Sequence, residues 1–358
     1  MNRETWSQSE DIPAVSILIA AFNEEKVIEE KLRSILATEY PSTKLEILIG
    51  SDASTDKTIA SIQDLAAKDP RIIIHDFKER RGKPAVINDL VSFAKNPILI
   101  LTDANVLFNP DTIYMMLRHF RNEKVGLVGA NILNVGQMED GISHQETSYI
   151  ARENRIKYYE GIHWGVMMGP FGGCFALRKK LYKDVPSNFL VDDFYICMQV
   201  LKQNFVSINE LQAICYEDVS NDIAQEYKRK ARISAGNFQN LRTFSEYLFK
   251  PFSPLGFCFI SHKVLRWLTP FFLIISLLCL GLLATYEQLF LYLFFLQLAM
   301  LLTPFFDSVL SRVGVHWKLL RYVSYFSYMN LALLKGFFRY LKGVRSSVWT
   351  PTLRNTSR

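Results

Sequence analysis

Short apolar runs alternate with amphipathic stretches along the first hundred residues. Four runs rich in β-branched residues predict strands, at 14–20, 45–52, 71–77 and 97–104. The stretches between them predict helices, at 24–37, 55–68 and 83–94. Regular alternation of strand and helix predicts a mostly parallel, Rossmann-like sheet with helices on both faces. We therefore expect an N-terminal tail at 1–13 and an α/β domain at 14–220.

Two later stretches, 267–286 and 288–306, contain no charged side chain. Each approaches the roughly 20 residues that cross about 30 Å of hydrocarbon, so we expect transmembrane helices within 267–340; a pair of buried core helices is the alternative. A third segment, 320–338, is richer in hydroxyl groups, and it could span, re-enter or lie along the interface.

Basic residues predict the orientation of these helices. Lys250, Lys263 and Arg266 precede the first span, and Arg312 and Lys318 follow the second. The positive-inside bias therefore predicts a multi-pass protein of the inner (cytoplasmic) membrane with its large domain in the cytoplasm. The basic tail, 341–358, would be cytoplasmic too, which three full crossings would not allow.

The segment 221–266 connects the α/β domain to these helices. Its second half mixes aromatic residues with Lys and Arg and is interrupted by Pro251 and Pro254. We expect it to lie against the bilayer surface, with a plain loop as the alternative.

Composition and charge argue against several classes of protein. The chain has 358 residues, of which 49% are hydrophobic, and a net charge of +6. Its basic residues do not form stripes with base-reading aromatics, so nucleic acid is not an expected partner. Five cysteines without a CxxC spacing predict reduced thiols, not disulfides or a zinc site.

Polar residues follow the predicted strands. Asn23 and Glu24 follow the first strand, Asp52 ends the second, and Asp103 ends the fourth. Because ligands of such sheets gather at the carboxyl ends of the strands, we expect these side chains to converge. The alternative for each motif is a helix cap or a solvated loop.

The sequence "TDAN" (102–105) suggests a metal site with one carboxylate. Mg²⁺ is commonly held by one or two carboxylates together with substrate phosphates, so Asp103 can suffice, with Asn105 supplying an amide oxygen or a water-mediated contact. The glycine motifs of dehydrogenases and P-loop proteins are absent from the sequence.

Taken in order, these motifs resemble family-2 glycosyltransferases with a GT-A fold. The resemblance is carried by "VSILIAAFNEE", "IGSDASTDKT", "RGKPAVIN", "TDAN", "GPFGGCFALRK", "VDDFYICMQVL", "YKRKARISAGNFQNL" and the closing "SSVWTPTLR". The chain looks most similar to the membrane-integrated branch that contains cellulose, hyaluronan and poly-N-acetylglucosamine synthases.

The resemblance implies roles for individual residues. It implies that Asp193 is the general base, with Asp192 beside it, and that Mg²⁺ or Mn²⁺ binds at Asp103 and Asn105. It implies a nucleotide-sugar site formed by Ala21, Asn23, Glu24, Asp52, Lys83, Asp103, Arg229 and Arg232. It implies acceptor contacts from Gly172, Gly173 and Cys174. Ile233 stands where the family's QxxRW motif has tryptophan, and Arg229 stands where it has glutamine.

Three functions stay open at this point. The first is transfer from a UDP-sugar to a growing β-linked polysaccharide, with a second copy of the chain or an export protein as a further partner. The second is transfer of one sugar to a lipid-linked or polyprenyl-phosphate acceptor. The third is a non-catalytic, UDP-binding membrane subunit, which Asn105 suggests.

Overall fold

The computed structural model of the protein describes residues 12–135, 143–218, 223–312 and 318–348. Within them the strands are β1 Val15–Ala21, β2 Leu45–Asp52, β3 Ile72–Phe77, β4 Ile98–Thr102, β5 Val106–Phe108, β6 Val125–Val135, β7 Cys174–Arg178 and β8 Val206–Asp218. The helices of the α/β domain are α1 Ile28–Leu36, α2 Thr58–Ala66, α3 Lys83–Phe93, α4 Thr112–Leu117, α5 Ser143–Trp164, α6 Asp192–Lys202 and α7 Ile223–Thr243. Four helices follow, α8 Pro254–Cys258, α9 Leu265–Leu283, α10 Gln288–Arg312 and α11 Lys318–Leu341.

The strands form one sheet in the order β3-β2-β1-β4-β7-β6-β8-β5. The pairs from β3 to β4 are parallel, as is β6 with β8, whereas β4 with β7, β7 with β6, and β8 with β5 are antiparallel. The prediction of a mostly parallel α/β sheet is thus confirmed. The antiparallel strands lie in the half of the domain where the alternation of strand and helix is interrupted.

Apolar residues on both faces of each central strand explain the core. In β1, Leu18 packs into one apolar layer, and Ile17 and Ile19 pack into the layer on the opposite face. All seven residues of β1 are buried. Strands buried on both faces read as continuous apolar runs, and their polar residues are therefore left to the strand ends.

Two of the late helices are apolar enough to cross a bilayer. By length and composition, Pro254–Leu283 and Gln288–Leu310 each qualify among the described residues. The first is a continuous rod made of α8, a π-helical turn at Phe259–Val264, and α9. Large side chains on both helices face outward, such as Leu278 (63% exposed) and Leu296 (67% exposed).

Helix α11 packs along α7. Ser234 Oγ donates a hydrogen bond to the Leu333 carbonyl at 2.7 Å. After α11 the chain returns to the α/β domain, where Asn188 Nδ2 donates to the Val344 carbonyl and Ser347 Oγ donates to the Ser187 carbonyl. The chain therefore leaves the α/β domain and contacts it again after α11. Segment 320–338, within α11, is not among the described stretches that qualify by length and composition.

Candidate active site

Asp52 organises the loop that precedes α3. Its fully buried carboxylate accepts hydrogen bonds from the backbone N–H groups of Arg81 (2.7 Å) and Gly82 (3.0 Å). Gly82 has φ +87°, which a residue with a side chain rarely adopts. Asp52 therefore fixes the backbone at the start of α3. The sequence around Asp52 did not reveal this structural role. Its contact with uridine, which the resemblance implies, stays a prediction.

Lys83 is the first residue of α3, and its ammonium group lies close to two carboxylates. Its Nζ lies 2.7 Å from Asp103 Oδ1 and 3.7 Å from Asp192 Oδ2. Burial lowers the pKa of Lys83, but the carboxylates of Asp103, Asp192 and Asp193 outweigh burial and raise it. Lys83 is therefore a permanent cation at neutral pH, facing three acids.

Asp103 and Asn105 stand where β4 ends. The Asp103 backbone N–H donates to the Gly173 carbonyl at 3.1 Å, and Asn105 Nδ2 donates to Glu217 Oε1 at 3.1 Å. Among the described residues, no group of three His, Cys, Asp or Glu side chains could hold a metal. The partly exposed Asp103 carboxylate nevertheless suits a divalent cation whose other ligands are phosphates and water.

Asp192 and Asp193 open α6. Asp193 Oδ1 accepts a hydrogen bond from the Phe194 backbone N–H at 2.8 Å. Burial, followed by the negative charge of Asp192, raises the pKa of Asp193 to about 6, against the opposing charges of Lys83 and Lys157. A carboxylate with a pKa near the working pH is suited to accept a proton.

The glycines before β7 lie directly beneath these acids. A methyl group placed on Gly172 would stand 3.0 Å from Asp193 Oδ2, and Gly173 accepts hydrogen bonds through its carbonyl from Asp103 N and Thr102 Oγ1. Cys174 differs from both: its side chain is fully buried in a core layer. The expectation that Cys174 contacts the acceptor therefore does not fit the structure, because β7 turns that side chain away from the cavity.

The two arginines of α7 differ in their surroundings. Arg229 forms an ion pair with Glu226, with Nε 2.7 Å from Oε2. Arg232 makes no hydrogen bond or ion pair with another described residue. Burial lowers the pKa of Arg232, and the charges of Asp192 and Asp103 oppose that effect. A guanidinium stays protonated in proteins, so Arg232 is a positive charge in the wall of the cavity described next.

These residues share one cavity of about 690 Å³, a volume typical of a small-molecule site. Its lining includes Lys83, Asp103, Gly172, Gly173, Asp192, Asp193, Arg229 and Arg232. The strand ends of β1 and β2 stand beside this cavity rather than in its wall. There the Asn23 backbone N–H donates to Ser54 Oγ, the Glu24 backbone N–H donates to Thr58 Oγ1, and Ala21 is buried and paired with Ser51.

A cluster of polar residues on α5, which the sequence did not reveal, also contributes to the cavity wall. Glu153, Lys157 and Glu160 are each at most 6% exposed, and the first two line the cavity. His262, on the π-helical turn, bonds both glutamates. The spacing of 153, 157 and 160 places these residues on one face of α5. The contacts of this face with His262 join residues more than 100 positions apart, so the sequence did not reveal them.

The mixed eight-stranded sheet, with acids, a lysine and an arginine around a cavity at its strand ends, is typical of the GT-A fold. Residues 16–185 match the model of glycosyl transferase family 2. The predicted resemblance to family-2 glycosyltransferases is thereby confirmed over this part of the chain.

Two curated relatives are poly-β-1,6-N-acetyl-D-glucosamine synthases. The protein from Staphylococcus epidermidis is 26% identical over 66% of this chain and 57% of its own length. That from Staphylococcus aureus strain COL is 25% identical over 67% of this chain and 58% of its own length. The chain thus spans little more than half the length of these relatives.

A solved structure shares the fold. The mannosyltransferase PcManGT from Pyrobaculum calidifontis, in complex with GDP-Man and Mn²⁺, superposes with a TM-score of 0.69 at 20% identity, over 95% of this chain and 90% of that one. At this identity the similarity establishes the fold alone.

Proposed function

We propose that the protein is a membrane-bound, inverting glycosyltransferase that transfers a sugar from a UDP-sugar to a growing β-linked polysaccharide. The observation that carries this proposal is the position of Asp193. It has a raised pKa and shares one cavity with Lys83, Asp103 and Arg232. A base and a set of groups for a diphosphate are the two requirements of this reaction. The two synthases described above support a polysaccharide as the product.

The donor binds, in this proposal, with its diphosphate between α3 and α7. Arg232 has unused donors there, and Lys83 is held at the cavity wall by Asp103. Asn23, Glu24 and Asp52, at the ends of β1 and β2, form the side of the site that receives the nucleoside. The Asp52 carboxylate contributes mainly by fixing the loop that presents Lys83.

A divalent cation, Mg²⁺ or Mn²⁺, would be held by Asp103, with Asn105 beside it, and when bound it offsets charge on the diphosphate. The residues of this chain supply the remaining functions. Lys83 and Arg232 add positive charge where the leaving group becomes negative. Glu217 orients Asn105 through its hydrogen bond with the Asn105 amide nitrogen.

Asp193 acts on the acceptor. It takes the proton of an acceptor hydroxyl while that oxygen forms a bond to the anomeric carbon, and the bond between this carbon and the UDP oxygen breaks. The proton resides on Asp193, and the electron pair of the broken bond leaves with UDP. Attack opposite to the leaving group inverts the anomeric configuration. Gly172 leaves the space that the Asp193 side chain needs.

Membrane attachment in this proposal rests on α9 and α10. Both are apolar along a membrane-spanning length, and Phe249 (85% exposed) and Phe252 (100% exposed) precede the first of them. Exposed aromatics beside basic residues are typical of the headgroup region. The catalytic domain then faces the cytoplasm, where nucleotide sugars are made.

A second candidate, transfer of one sugar to a lipid-linked acceptor, has one observation in its favour. The cavity that contains Asp193 extends to Thr269 of α9 and to Tyr325 and Met329 of α11. An acceptor with an apolar chain could enter along these helices.

Product analysis separates the two candidates. Membranes containing the protein are incubated with a radiolabelled UDP-sugar, and products are sized before and after organic extraction. A water-soluble ladder supports the polysaccharide synthase, and a single extractable product supports transfer to a lipid. Donor turnover without either product would overturn both.

A further inference from the structure

Lys157 is a buried cation that faces the cavity. Its side chain lies on α5 and is 3% exposed, and Nζ stands 3.6 Å from the centre of the Phe171 ring. Apart from this ring, no hydrogen bond or ion pair links Lys157 to another described residue. A desolvated ammonium without a hydrogen-bond acceptor is costly, so such groups normally have a partner.

The obvious partners are engaged elsewhere. Glu153, one turn before Lys157, accepts hydrogen bonds on Oε1 from Lys263 Nζ (2.8 Å) and on Oε2 from Arg266 Nη1 (2.7 Å). Its Oε1 also bonds His262 Nε2 at 2.8 Å. Burial raises the pKa of Glu153, but the charges of Lys263 and Lys157 and the hydrogen bond with His262 outweigh burial and lower it.

Glu160, one turn after Lys157, is engaged as well. Its Oε1 bonds His262 Nδ1 at 2.6 Å, and its Oε2 accepts from the Met168 backbone N–H at 3.0 Å. Both glutamates are therefore hydrogen-bonded to the π-helical turn. Glu160 is also hydrogen-bonded to the backbone of Met168, next to Gly169. Lys157, between them on the same face, is left directed to the cavity that it lines.

The position of Lys157 along the cavity distinguishes it from the donor-side cations. The charges that act on Lys83 and Arg232 include those of Asp103 and Asp192, at the diphosphate end. Those that act on Lys157 include Glu153, Asp193 and Glu160, and of these three Asp193 also acts on Lys83. Phe171, the ring beneath its ammonium, immediately precedes Gly172, which contacts Asp193. Lys157 thus belongs to the side of the cavity on which Asp193 meets its substrate.

We propose that Lys157 is an acceptor-binding residue, whose ammonium donates hydrogen bonds to oxygens of the acceptor's terminal sugar and orients its hydroxyl group toward Asp193. This inference rests on the proposed transferase function. Burial, followed by the charge of Lys263, lowers the pKa of Lys157 to about 8, so the ammonium remains the main form at pH 7.

The first test compares Lys157→Met with Arg155→Met in the full-length protein. Arg155 lies two residues away on the exposed side of α5, so its variant removes one positive charge without changing the cavity. With an N-acetylglucosamine oligosaccharide as acceptor, Lys157→Met should raise the acceptor KM about tenfold, the value of one lost charge-assisted hydrogen bond. The donor KM should change less than twofold. Lys157→Arg should recover part of the loss.

An unchanged acceptor KM in Lys157→Met, or an increase confined to the donor KM, would overturn the assignment. A loss of equal size in Arg155→Met would attribute the effect to net charge and would overturn it too.

The second test needs no turnover and uses the unaltered protein. Reductive methylation at pH 8, followed by mass spectrometry, reports the accessibility of each lysine. Lys157 should be methylated in the free protein and protected by an N-acetylglucosamine oligosaccharide added with UDP. Surface lysines such as Lys68 should be methylated to the same extent with and without the oligosaccharide. Equal labelling of Lys157 with and without the oligosaccharide would refute acceptor binding. If the protein turned over no donor, the proposed function would fail, and this labelling would still decide the role of Lys157.

Discussion

Gly172 leaves the space beside the Asp193 carboxylate that a side chain would fill, at the wall of the cavity that both residues line. A β-carbon built on Gly172 would stand 3.0 Å from Asp193 Oδ2 and 3.3 Å from its carboxyl carbon. The glycine is needed here for the space it leaves and not for an unusual backbone angle. The absence of a side chain at Gly172 therefore leaves room for the Asp193 carboxylate in the position that the structure shows.

Gly172→Ala should reduce transfer at least tenfold, because the added methyl group displaces the Asp193 carboxylate. The fold should persist, since the displaced group is a side chain at the cavity edge. Activity and UDP affinity are measured on the same preparation. Unaltered kcat together with normal UDP binding would show that the contact has no part in catalysis.

The pH profile should report the titration of Asp193. Its pKa is raised to about 6, and only the ionised form accepts a proton, so kcat/KM should rise as the pH increases through about 6. Burial and then the charge of Asp192 raise this pKa, whereas Lys83, the Phe194 backbone N–H and Lys157 lower it. Lys157→Met should therefore move the acidic limb to higher pH. A profile flat between pH 5 and 7.5 would contradict the role of Asp193.

Asp193→Asn should stabilise the fold while it abolishes transfer. Because the folded pKa exceeds the unfolded value, ionisation costs stability, and this loss develops as the pH rises from about 4 to about 6. Asparagine removes that cost but still accepts from the Phe194 backbone N–H. We expect a gain of about 1–2 kcal/mol at pH 7.5, allowing for partial exposure to the cavity, and almost none at pH 4.5.

Thermal unfolding of the two proteins in detergent at both pH values measures this difference. Transfer should fall by about 10²–10⁴-fold, the usual contribution of a general base. A variant that is less stable than the parent at pH 7.5 would show that the Asp193 charge is compensated in the folded state.

Arg232 and Arg229 should differ in their effect on donor binding. Arg232→Ala removes a guanidinium without a partner among the described residues, so it should weaken UDP binding about tenfold or more. Arg229 is engaged by Glu226, so Arg229→Ala should weaken it only a few-fold. Isothermal titration with UDP and metal gives both values. Equal losses would mean that the Arg229–Glu226 pair opens when the nucleotide binds.

Local patterns were sufficient to predict the first half of the fold. β2 begins and ends where its apolar run does, and the polar ends of β1, β2 and β4 lie at one edge because parallel strands deliver their carboxyl ends together. The acids of α6 were equally visible, as a pair at the start of a helical pattern.

Long-range packing explains what the sequence did not reveal. Lys31 lies on the inward face of α1 and is fully buried, because Thr102 Oγ1 and the Val106 carbonyl accept its hydrogen bonds. Glu153 and Glu160, on either side of Lys157 on α5, are hydrogen-bonded to a segment beyond residue 250. Cys174 was assigned to the acceptor from its motif, yet the alternation of side chains along β7 directs it into the core. Pairing across 70 to 100 residues leaves no local signal.

The most direct test of the central claim is UDP release by the detergent-purified protein. A panel of UDP-sugars is supplied with an oligosaccharide acceptor and native membrane lipid, with Mg²⁺, with Mn²⁺ or with chelator, beside Asp193→Asn. A transferase should show metal-dependent release with at least one UDP-sugar, and this release should be lost in the variant while UDP still binds. Binding of UDP without release from any donor would contradict a transferase and favour a nucleotide-binding subunit.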